Sequence, residues 1–268
     1  MSEKTKYRIL EGKHGIEKAY NEMAPSYDTS KSSTFFWTRK MEAAEERVVN
    51  KWIKNFKDRI LDVGCGTGRY TVKIAKNSEV VAIDLSLNML KQTREKAEKN
   101  NSDKKINLIR ADGEHLPLKG ESFNGLISTL AFDHFQKPHL AAEDFSRVLK
   151  RNGTCIIGTF NNKLMKEFKK RHNLPHDKIP FKAENMTLTL IYEVGHSVKE
   201  LEEMFSKHGL YLTDVKGCCY WHAFPDFINK IFPNYSISDF YDARLDSFFN
   251  HFNMIDRADI QIVNMRKR

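Results

Sequence analysis

The chain has 268 residues, with 44 lysines and arginines against 35 aspartates and glutamates, a formal net charge of +9. Its 40% hydrophobic content is typical of a globular protein, and 13 glycines with 7 prolines are too few for a collagen-like or low-complexity chain. No apolar run reaches the ~18–20 residues that cross a bilayer, and the first residues lack the apolar stretch of a signal peptide. We therefore expect a cytoplasmic protein with no integral membrane segment.

The spacing of the cysteines and the distribution of basic charge exclude few classes of function. No cysteines have the spacing of a zinc site, and a disulfide framework would need more of them, so we expect reduced thiols and no metal. The densest basic stretches are 163–171 (KLMKEFKKR) and 266–268 (RKR). They permit binding to nucleic acid, and they equally suit solvated helix faces and a solubilising tail.

In chain order, the hydrophobic pattern first predicts an amphipathic helix over residues 40–57, where apolar side chains recur at helical spacing. Short apolar strands then alternate with helices as far as residue 159. The predicted strands are 59–63, 80–84, 106–110, 123–130 and 153–159, and the predicted helices are 68–77, 87–100 and 138–150. Strands that alternate with helices and are apolar throughout predict a parallel sheet covered on both faces.

A second group of elements follows near the end of the chain. Ser197 and Glu200 have the S-x-x-E spacing of a capping box, so a helix is predicted to begin there and to end at Gly209. Strands are predicted over residues 210–217 and from about 258 to 265. These strands would complete the same sheet.

Two stretches are harder to interpret. Residues 220–254 are rich in aromatic side chains and resemble two short helices, which would either line a pocket or form a local core. Residues 160–195 are the least regular part of the chain and suit an insertion or a lid. Because the sequence has neither internal repeats nor a linker, one domain over residues 1–268 is the better interpretation.

The strongest local signal is the glycine loop at residues 61–70, LDVGCGTGRY. A buried strand runs into Gly64, Gly66 and Gly68, which allow a tight turn and a close approach of the backbone to a ligand. The spacing G-x-G-x-G differs from the G-x-G-x-x-G of dinucleotide-binding folds. Asp62 precedes the loop, and a carboxylate there suits a cationic ligand group better than a phosphate.

Two further acids follow the next two predicted strands. Asp84 ends the second strand, where a carboxylate can accept hydrogen bonds from ribose hydroxyls, and Asp112 follows the third, where it could accept from an adenine amino group. The carboxyl ends of parallel strands meet at one edge of a sheet, so Asp62, Asp84 and Asp112 are expected to lie together. Either later acid alone could instead be a turn or helix-capping residue.

These motifs together resemble class I S-adenosylmethionine (SAM)-dependent methyltransferases, in particular the methyltransferase type 11 group that includes ubiquinone/menaquinone C-methyltransferases. The matching segments are YNEMAPSYD (20–28), LDVGCGTG (61–68), VVAIDLS (80–86), RADGEHLPL (110–118), ESFNGLIS (121–128) and RVLKRNGTCII (147–157). The resemblance implies an α/β fold: a Rossmann-like, seven-stranded, mostly parallel sheet with helices on both faces and an antiparallel last strand. It also implies an N-terminal helical lid at 1–58, a SAM-binding core at 59–160 and substrate-side elements at 161–268.

By the same resemblance, a defined set of residues would hold SAM. The methionine end would contact Asp62, Gly64, Gly66 and Gly68, the ribose Asp84 beside Leu85, and the adenine Asp112 and Gly113, with Ser128 next to the cofactor and Tyr20 and Tyr27 folded over it. The two tyrosines could instead pack an N-terminal helix on the sheet. The segment after the fourth strand lacks the G-x-R-N-type motif of the quinone enzymes, so the resemblance does not extend to a quinone substrate.

The expected activity is methyl transfer from SAM to a small, hydrophobic or aromatic molecule. An acceptor that loses a proton needs a general base, and His134 is the first candidate, before Tyr20 and His222, although His134 could be a packing residue. The alternatives are a tRNA or other RNA methyltransferase and a non-catalytic SAM-binding subunit that stabilises a partner. The sequence leaves the oligomeric state open.

Overall fold

The computed structural model describes residues 7–29, 33–181, 187–220, 243–251 and 254–268, with the backbone alone described for 33–40 and 243–245. Much of the aromatic segment, including His222, lies outside the described residues. None of the helices in these ranges is long and apolar enough to cross a membrane.

The described strands and helices alternate along most of the chain. The strands are β1 (Arg8–Ile9), β2 (Arg59–Val63), β3 (Glu79–Asp84), β4 (Ile106–Arg110), β5 (Phe123–Thr129), β6 (Leu149–Phe160), β7 (Lys178–Phe181), β8 (Thr189–Tyr192), β9 (Leu210–Cys218) and β10 (Ile260–Lys267). The helices are α1 (Gly12–Met23), α2 (Ser33–Ile53), α3 (Thr71–Ile74), α4 (Leu87–Lys99), α5 (Pro138–Val148), α6 (Asn162–Arg171), α7 (Val198–Ser206) and α8 (Ala243–His251).

Seven strands form one sheet in the order β4-β3-β2-β5-β6-β10-β9. The pairs from β4 through β6 are parallel, and β10 runs antiparallel to both β6 and β9. The predicted seven-stranded, mostly parallel sheet with an antiparallel last strand is therefore confirmed. Strand order reverses at β2, which lies between β3 and β5, and ligands of open α/β sheets bind beyond the carboxyl ends of the strands at such a point.

Both faces of the sheet are buried, as the apolar strands predict. Within β2, Ile60 joins a core cluster with Ala44 and Val49 of α2, whereas Leu61 joins a second cluster with Phe145 of α5 and other residues of the opposite face. This alternation follows from the two-residue period of a strand. The sheet is thus a rigid central layer, and its carboxyl edge holds loop residues in fixed positions.

Residues 160–195 are more regular than the sequence indicates, because α6 is followed by β7 and β8. These strands form a second, three-stranded sheet in the order β1-β8-β7, in which Ile9 pairs with Leu190. The strands have two to four residues each, too few for a periodic pattern, and β1 is distant from its partner in the chain. The described parts of this region therefore form a small sheet shared with the N-terminal segment.

Several predicted boundaries also shift. The helix predicted over 68–77 is only Thr71–Ile74, and the helix predicted over 40–57 is Ser33–Ile53. The strand predicted over 153–159 begins at Leu149. The capping box is confirmed, because the Ser197 hydroxyl accepts a hydrogen bond from the Glu200 N–H at 3.2 Å while the Glu200 carboxylate accepts from the Ser197 N–H at 2.7 Å.

Candidate functional site

A pocket opens at the carboxyl edge of the sheet, beyond β2, β3, β4 and β5. Ten of the twelve residues proposed from the sequence line it: Tyr20, Tyr27, Asp62, Gly64, Gly66, Asp84, Leu85, Asp112, Gly113 and His134. The other two, Gly68 and Ser128, do not. Ser128 is buried within β5, and the following residues Thr129 and Leu130 line the pocket instead.

The glycine loop is held by hydrogen bonds to the neighbouring strand β3 and by one within the loop. The N–H groups of Gly64 and Cys65 donate to the Ile83 carbonyl at 2.8 and 3.0 Å, and the Gly66 N–H donates to Asp84 Oδ2 at 2.8 Å. Gly68 closes the turn by donating to the Cys65 carbonyl at 2.9 Å. Gly64, Gly66 and Gly68 have φ angles of 71°, 55° and 81°, which favour glycine at each position. The backbone therefore forms a fixed cradle at the end of β2.

Asp62 and Asp84 place two carboxyl groups in this cradle. Asp62 Oδ2 accepts a hydrogen bond from Thr71 Oγ1 at 2.6 Å, and burial raises the pKa of Asp62 to about 7, with the nearby Asp84 adding to the effect. Burial also raises the pKa of Asp84, against the hydrogen bonds from the Ser86 and Gly66 N–H groups. A cationic group or a set of hydroxyl donors would offset the cost of ionising these acids.

The shifted pKa of Asp62 makes a prediction about stability. The unfolded carboxyl ionises near pH ~4, whereas the folded one ionises near 7, so the unfolded state holds fewer protons in that window and stability falls as pH rises. The asparagine side chain of the Asp62→Asn variant cannot ionise, so its stability lacks this pH dependence. We expect its free energy of unfolding, relative to the unchanged protein, to increase from pH 5 to pH 7 by up to about 1.4 kcal/mol per pH unit.

Urea unfolding at several pH values measures this difference. Asp103→Asn is the control, because Asp103 is an exposed acid in the turn before β4. Parallel stability curves for Asp62→Asn and the unchanged protein would contradict the raised pKa.

The N-terminal helix α1 is tied to the far end of the pocket by ion pairs. The Lys13 ammonium contacts both Asp112 and Glu114, and Arg110 pairs with Glu17. Although burial opposes it, hydrogen bonds from Lys13 and the Glu114 N–H lower the pKa of Asp112. Lys13 was not identified from the sequence, yet Lys13, Glu17 and Tyr20 recur at helical spacing and all line the pocket.

Tyr20 and His134 meet at the middle of the pocket. Their Oη and Nε2 atoms are 2.6 Å apart, and His134 Nδ1 is 2.8 Å from the Tyr192 carbonyl oxygen. Because that carbonyl can only accept, Nδ1 carries the proton, and in a neutral ring Nε2 accepts the Tyr20 hydroxyl. Glu193 Oε2 lies 3.5 Å from the same Nε2. The sequence proposed Tyr20 and His134 separately and missed both their contact and Glu193.

A second polar cluster lines the opposite side of the pocket. The Tyr27 hydroxyl donates to Glu42 Oε1 at 3.4 Å, and burial raises the pKa of Tyr27. Arg69 Nη2 lies 2.7 Å from Oε2 of the fully buried Glu45. Arg69 directly follows the last glycine of the motif at residues 61–70. This position was the one sequence signal that could have identified Arg69 as a pocket residue.

The described part of the aromatic segment does not line the pocket. Tyr220 stacks on Phe249 with ring centroids 4.6 Å apart, and both pack with Ala258 in a small core cluster. For these two residues the local-core interpretation agrees with the structure. The sequence pattern could not separate the two interpretations, because a core helix and a pocket wall use the same aromatic residues.

The fold and pocket define a class of protein, the open α/β proteins that bind a small ligand where the strand order reverses. In this chain a glycine loop and the acids at the ends of the strands surround that position. A family model described as a methyltransferase domain matches residues 61–157. Similar relatives include the uncharacterized protein MJ1252 of Methanocaldococcus jannaschii, 33% identical over 149 residues (56% of this chain, 53% of the relative). Another is the ubiquinone/menaquinone biosynthesis C-methyltransferase UbiE of Wigglesworthia glossinidia brevipalpis, 26% identical over 163 residues (59% and 64%).

A solved SAM-dependent methyltransferase from Mesorhizobium loti superposes with a TM-score of 0.57 at 18% identity, covering 84% of this chain and 99% of that one. Residues 61–157 belong to the methyltransferase domain family, and the fold is that of the class I SAM-dependent methyltransferases, whose cofactor is SAM. It spans 52% to 64% of the length of the first curated relatives that it matches.

The residues of the pocket fit this cofactor. A Cβ added at Gly66 would meet no protein atom within 4 Å, so the cradle leaves open space where a ligand can approach the backbone. The buried carboxyl group of Asp62 and the half-buried one of Asp84 supply acceptors for an ammonium group and for ribose hydroxyls. SAM has both kinds of donor.

Proposed function

We propose that this protein transfers the methyl group of SAM to a small, hydrophobic or aromatic molecule. The observation that carries the proposal is that one pocket combines the acid-lined glycine cradle with a wall of aromatic rings. Tyr20 and Tyr27, with ring centroids 6.5 Å apart, line the pocket together with Tyr70 and Phe135, and Phe181 packs against Tyr20 at 6.3 Å. Such a wall favours a flat or lipophilic acceptor over a strongly hydrated one.

Each residue of the proposed cofactor site has a role that follows from its chemistry. Asp62 and the glycine loop hold the methionine end, Asp84 beside Leu85 accepts the ribose hydroxyls, and Asp112 with Gly113 contacts the adenine. Tyr20 and Tyr27, carried by the N-terminal segment 1–58, close over the ligand. Gly68 and Ser128 act indirectly: Gly68 supports the glycine loop, and Ser128 supports the strand β5.

When bound, the cofactor supplies a methyl group on a positively charged sulfur, and that charge disappears during transfer. Water stabilises the charged starting state, so a dry pocket favours the reaction. The protein's part is to exclude water with its aromatic wall and to align the acceptor. The UbiE relative is named for quinone biosynthesis, which supports a small-molecule acceptor.

RNA methylation is the alternative function that the basic residues of α6 could favour. Lys163, Lys166, Lys170 and Arg171 are exposed on α6 and could contact phosphates. Lys169 is not available for this, because its ammonium is buried against the carbonyl oxygens of His176 and Glu193. The remaining positive charge is diffuse. It supports an RNA substrate less strongly than the pocket supports a small-molecule substrate.

Transfer of label from methyl-labelled SAM into fractionated cell extract tests the proposal. We expect label in the lipid or small-molecule fraction, and less label with the Asp84→Ala variant when SAM is below saturation. Label confined to RNA would overturn the proposal and favour the basic face of α6. SAM binding without transfer, restored by adding back a protein fraction, would instead favour a subunit that acts with a partner.

A further inference from the structure

The group formed by Tyr20, His134 and Glu193 has a geometry that SAM binding alone does not require. His134 is buried, and its ring is fixed by the hydrogen bond from Nδ1 to the Tyr192 carbonyl. This leaves Nε2 as the one ring nitrogen that can take up a further proton. The Tyr20 hydroxyl occupies that nitrogen at 2.6 Å, and both side chains line the pocket.

Glu193 provides a carboxyl group for the charge that such a proton would create. Its side chain is 5% exposed, Oε2 is 3.5 Å from His134 Nε2, and Oε1 is buried with no hydrogen-bond partner in the described part of the chain. Burial raises the pKa of Glu193, and positive charge on His134 opposes that rise. An imidazolium at His134 would therefore gain a buried counter-ion.

Resting on the proposed function, we propose that Tyr20 and His134 form a proton relay that removes the proton of a phenol- or enol-type hydroxyl on the acceptor. As the acceptor is methylated, its O–H bond breaks and the proton moves to Tyr20 Oη. The Tyr20 proton moves to His134 Nε2 in the same event, and the resulting imidazolium lies beside Glu193. The proton then leaves to water, so the relay returns to its starting state.

The relay limits the acceptor class because burial raises the pKa of Tyr20, so Tyr20 takes a proton from the acceptor only while it gives its own to His134. A phenol or enol, with a pKa near ~10, is acidic enough to give up its proton in this way, whereas an aliphatic alcohol is far less acidic. An acceptor that attacks through a lone pair without losing a proton would need no relay. Tyr20 touches the acceptor, Glu193 acts through His134, and His134 takes the proton.

Other ionisable groups surround His134 and are part of its pH response. Asp84 at the end of β3 interacts with it electrostatically, Asp133 precedes it in the same turn, and Lys169 of α6 approaches the Glu193 backbone. Burial raises the pKa of Asp133, and Lys169 has its pKa lowered by burial. These groups are present in every variant below, so they do not account for differences between variants.

The test uses pH–rate profiles of label transfer into the small-molecule acceptor, for the unchanged protein, Tyr20→Phe, His134→Gln and the control His139→Gln. His139 is an exposed histidine on α5. We expect a loss of about 100-fold or more at pH 7 for His134→Gln and Tyr20→Phe. The rate of His134→Gln should then rise tenfold per pH unit as the acceptor ionises without help, and approach the plateau of the unchanged protein.

A merely structural role would lower the rate by the same factor at every pH, and that result would overturn the relay. A second readout needs no turnover: imidazole ¹⁵N NMR with S-adenosylhomocysteine bound should show His134 protonated at Nδ1, and Tyr20→Phe should shift the Nε2 signal. His134 protonated at Nε2 in the neutral ring would also overturn it. Absence of SAM binding would instead be a failure of the proposed function.

Discussion

Asp84→Ala is expected to weaken SAM binding by about 1–3 kcal/mol, a loss of roughly 5- to 150-fold in affinity. The carboxylate accepts hydrogen bonds from the Gly66 and Ser86 N–H groups at 2.8 Å each, so it both holds the glycine loop and presents acceptors to the pocket. Its removal leaves ribose hydroxyls without partners in a buried site, and isothermal titration calorimetry with SAM measures the loss.

The matched control is Asp103→Ala, which removes an exposed acid near the start of β4. We expect its dissociation constant for SAM to stay within twofold of that of the unchanged protein. Thermal unfolding without ligand separates a binding defect from a folding defect. A dissociation constant unchanged by Asp84→Ala would contradict the ribose assignment.

Gly64→Ala is expected to destabilise the fold by about 3–5 kcal/mol, because two penalties act at this position. Gly64 has a φ of 71°, and an added Cβ would lie 2.3 Å from the Ala131 Cβ, a distance that real Cβ atoms do not show. The loop after β2 and the turn after β5 would have to separate. Urea unfolding should therefore give a much lower midpoint.

Gly66→Ala is the control for backbone strain alone. Gly66 has a φ of 55°, but its added Cβ meets no protein atom within 4 Å, so the expected cost in stability is about 1–2 kcal/mol. Because Gly66 lines the pocket, this variant should fold and still lose SAM affinity. Equal unfolding midpoints for the two variants would mean that contact with Ala131 is unimportant.

The central sheet could be predicted because its determinants are local. The strands β2 and β3 are apolar runs that end at a glycine and at an acid, as LDVG and VVAID show. The edge that holds Asp62, Asp84 and Asp112 follows from strand direction alone. Ser128, predicted to lie beside the cofactor, is buried within β5, and the residues that follow it, Thr129 and Leu130, line the pocket.

The parts that could not be predicted depend on contacts between distant segments. The second sheet pairs Ile9 with Leu190, and no local pattern in a two-residue strand indicates such a partner. Lys13 lines the pocket, and Glu193 lies beside the pocket residue His134, only because α1 and the residue after β8 pack against this edge of the sheet. Charged residues on short or irregular segments look like solvent-exposed ones until the tertiary structure buries them.

The most direct test of the central claim is equilibrium dialysis of the purified protein against methyl-labelled SAM. The pocket predicts saturable binding at one site per chain, displaced by S-adenosylhomocysteine and left unchanged by NAD. An affinity about 5- to 150-fold weaker in Asp84→Ala, with the affinity retained in Asp103→Ala, would locate the ligand at the carboxyl edge of the sheet. No saturable binding of SAM, or displacement by NAD, would contradict the account.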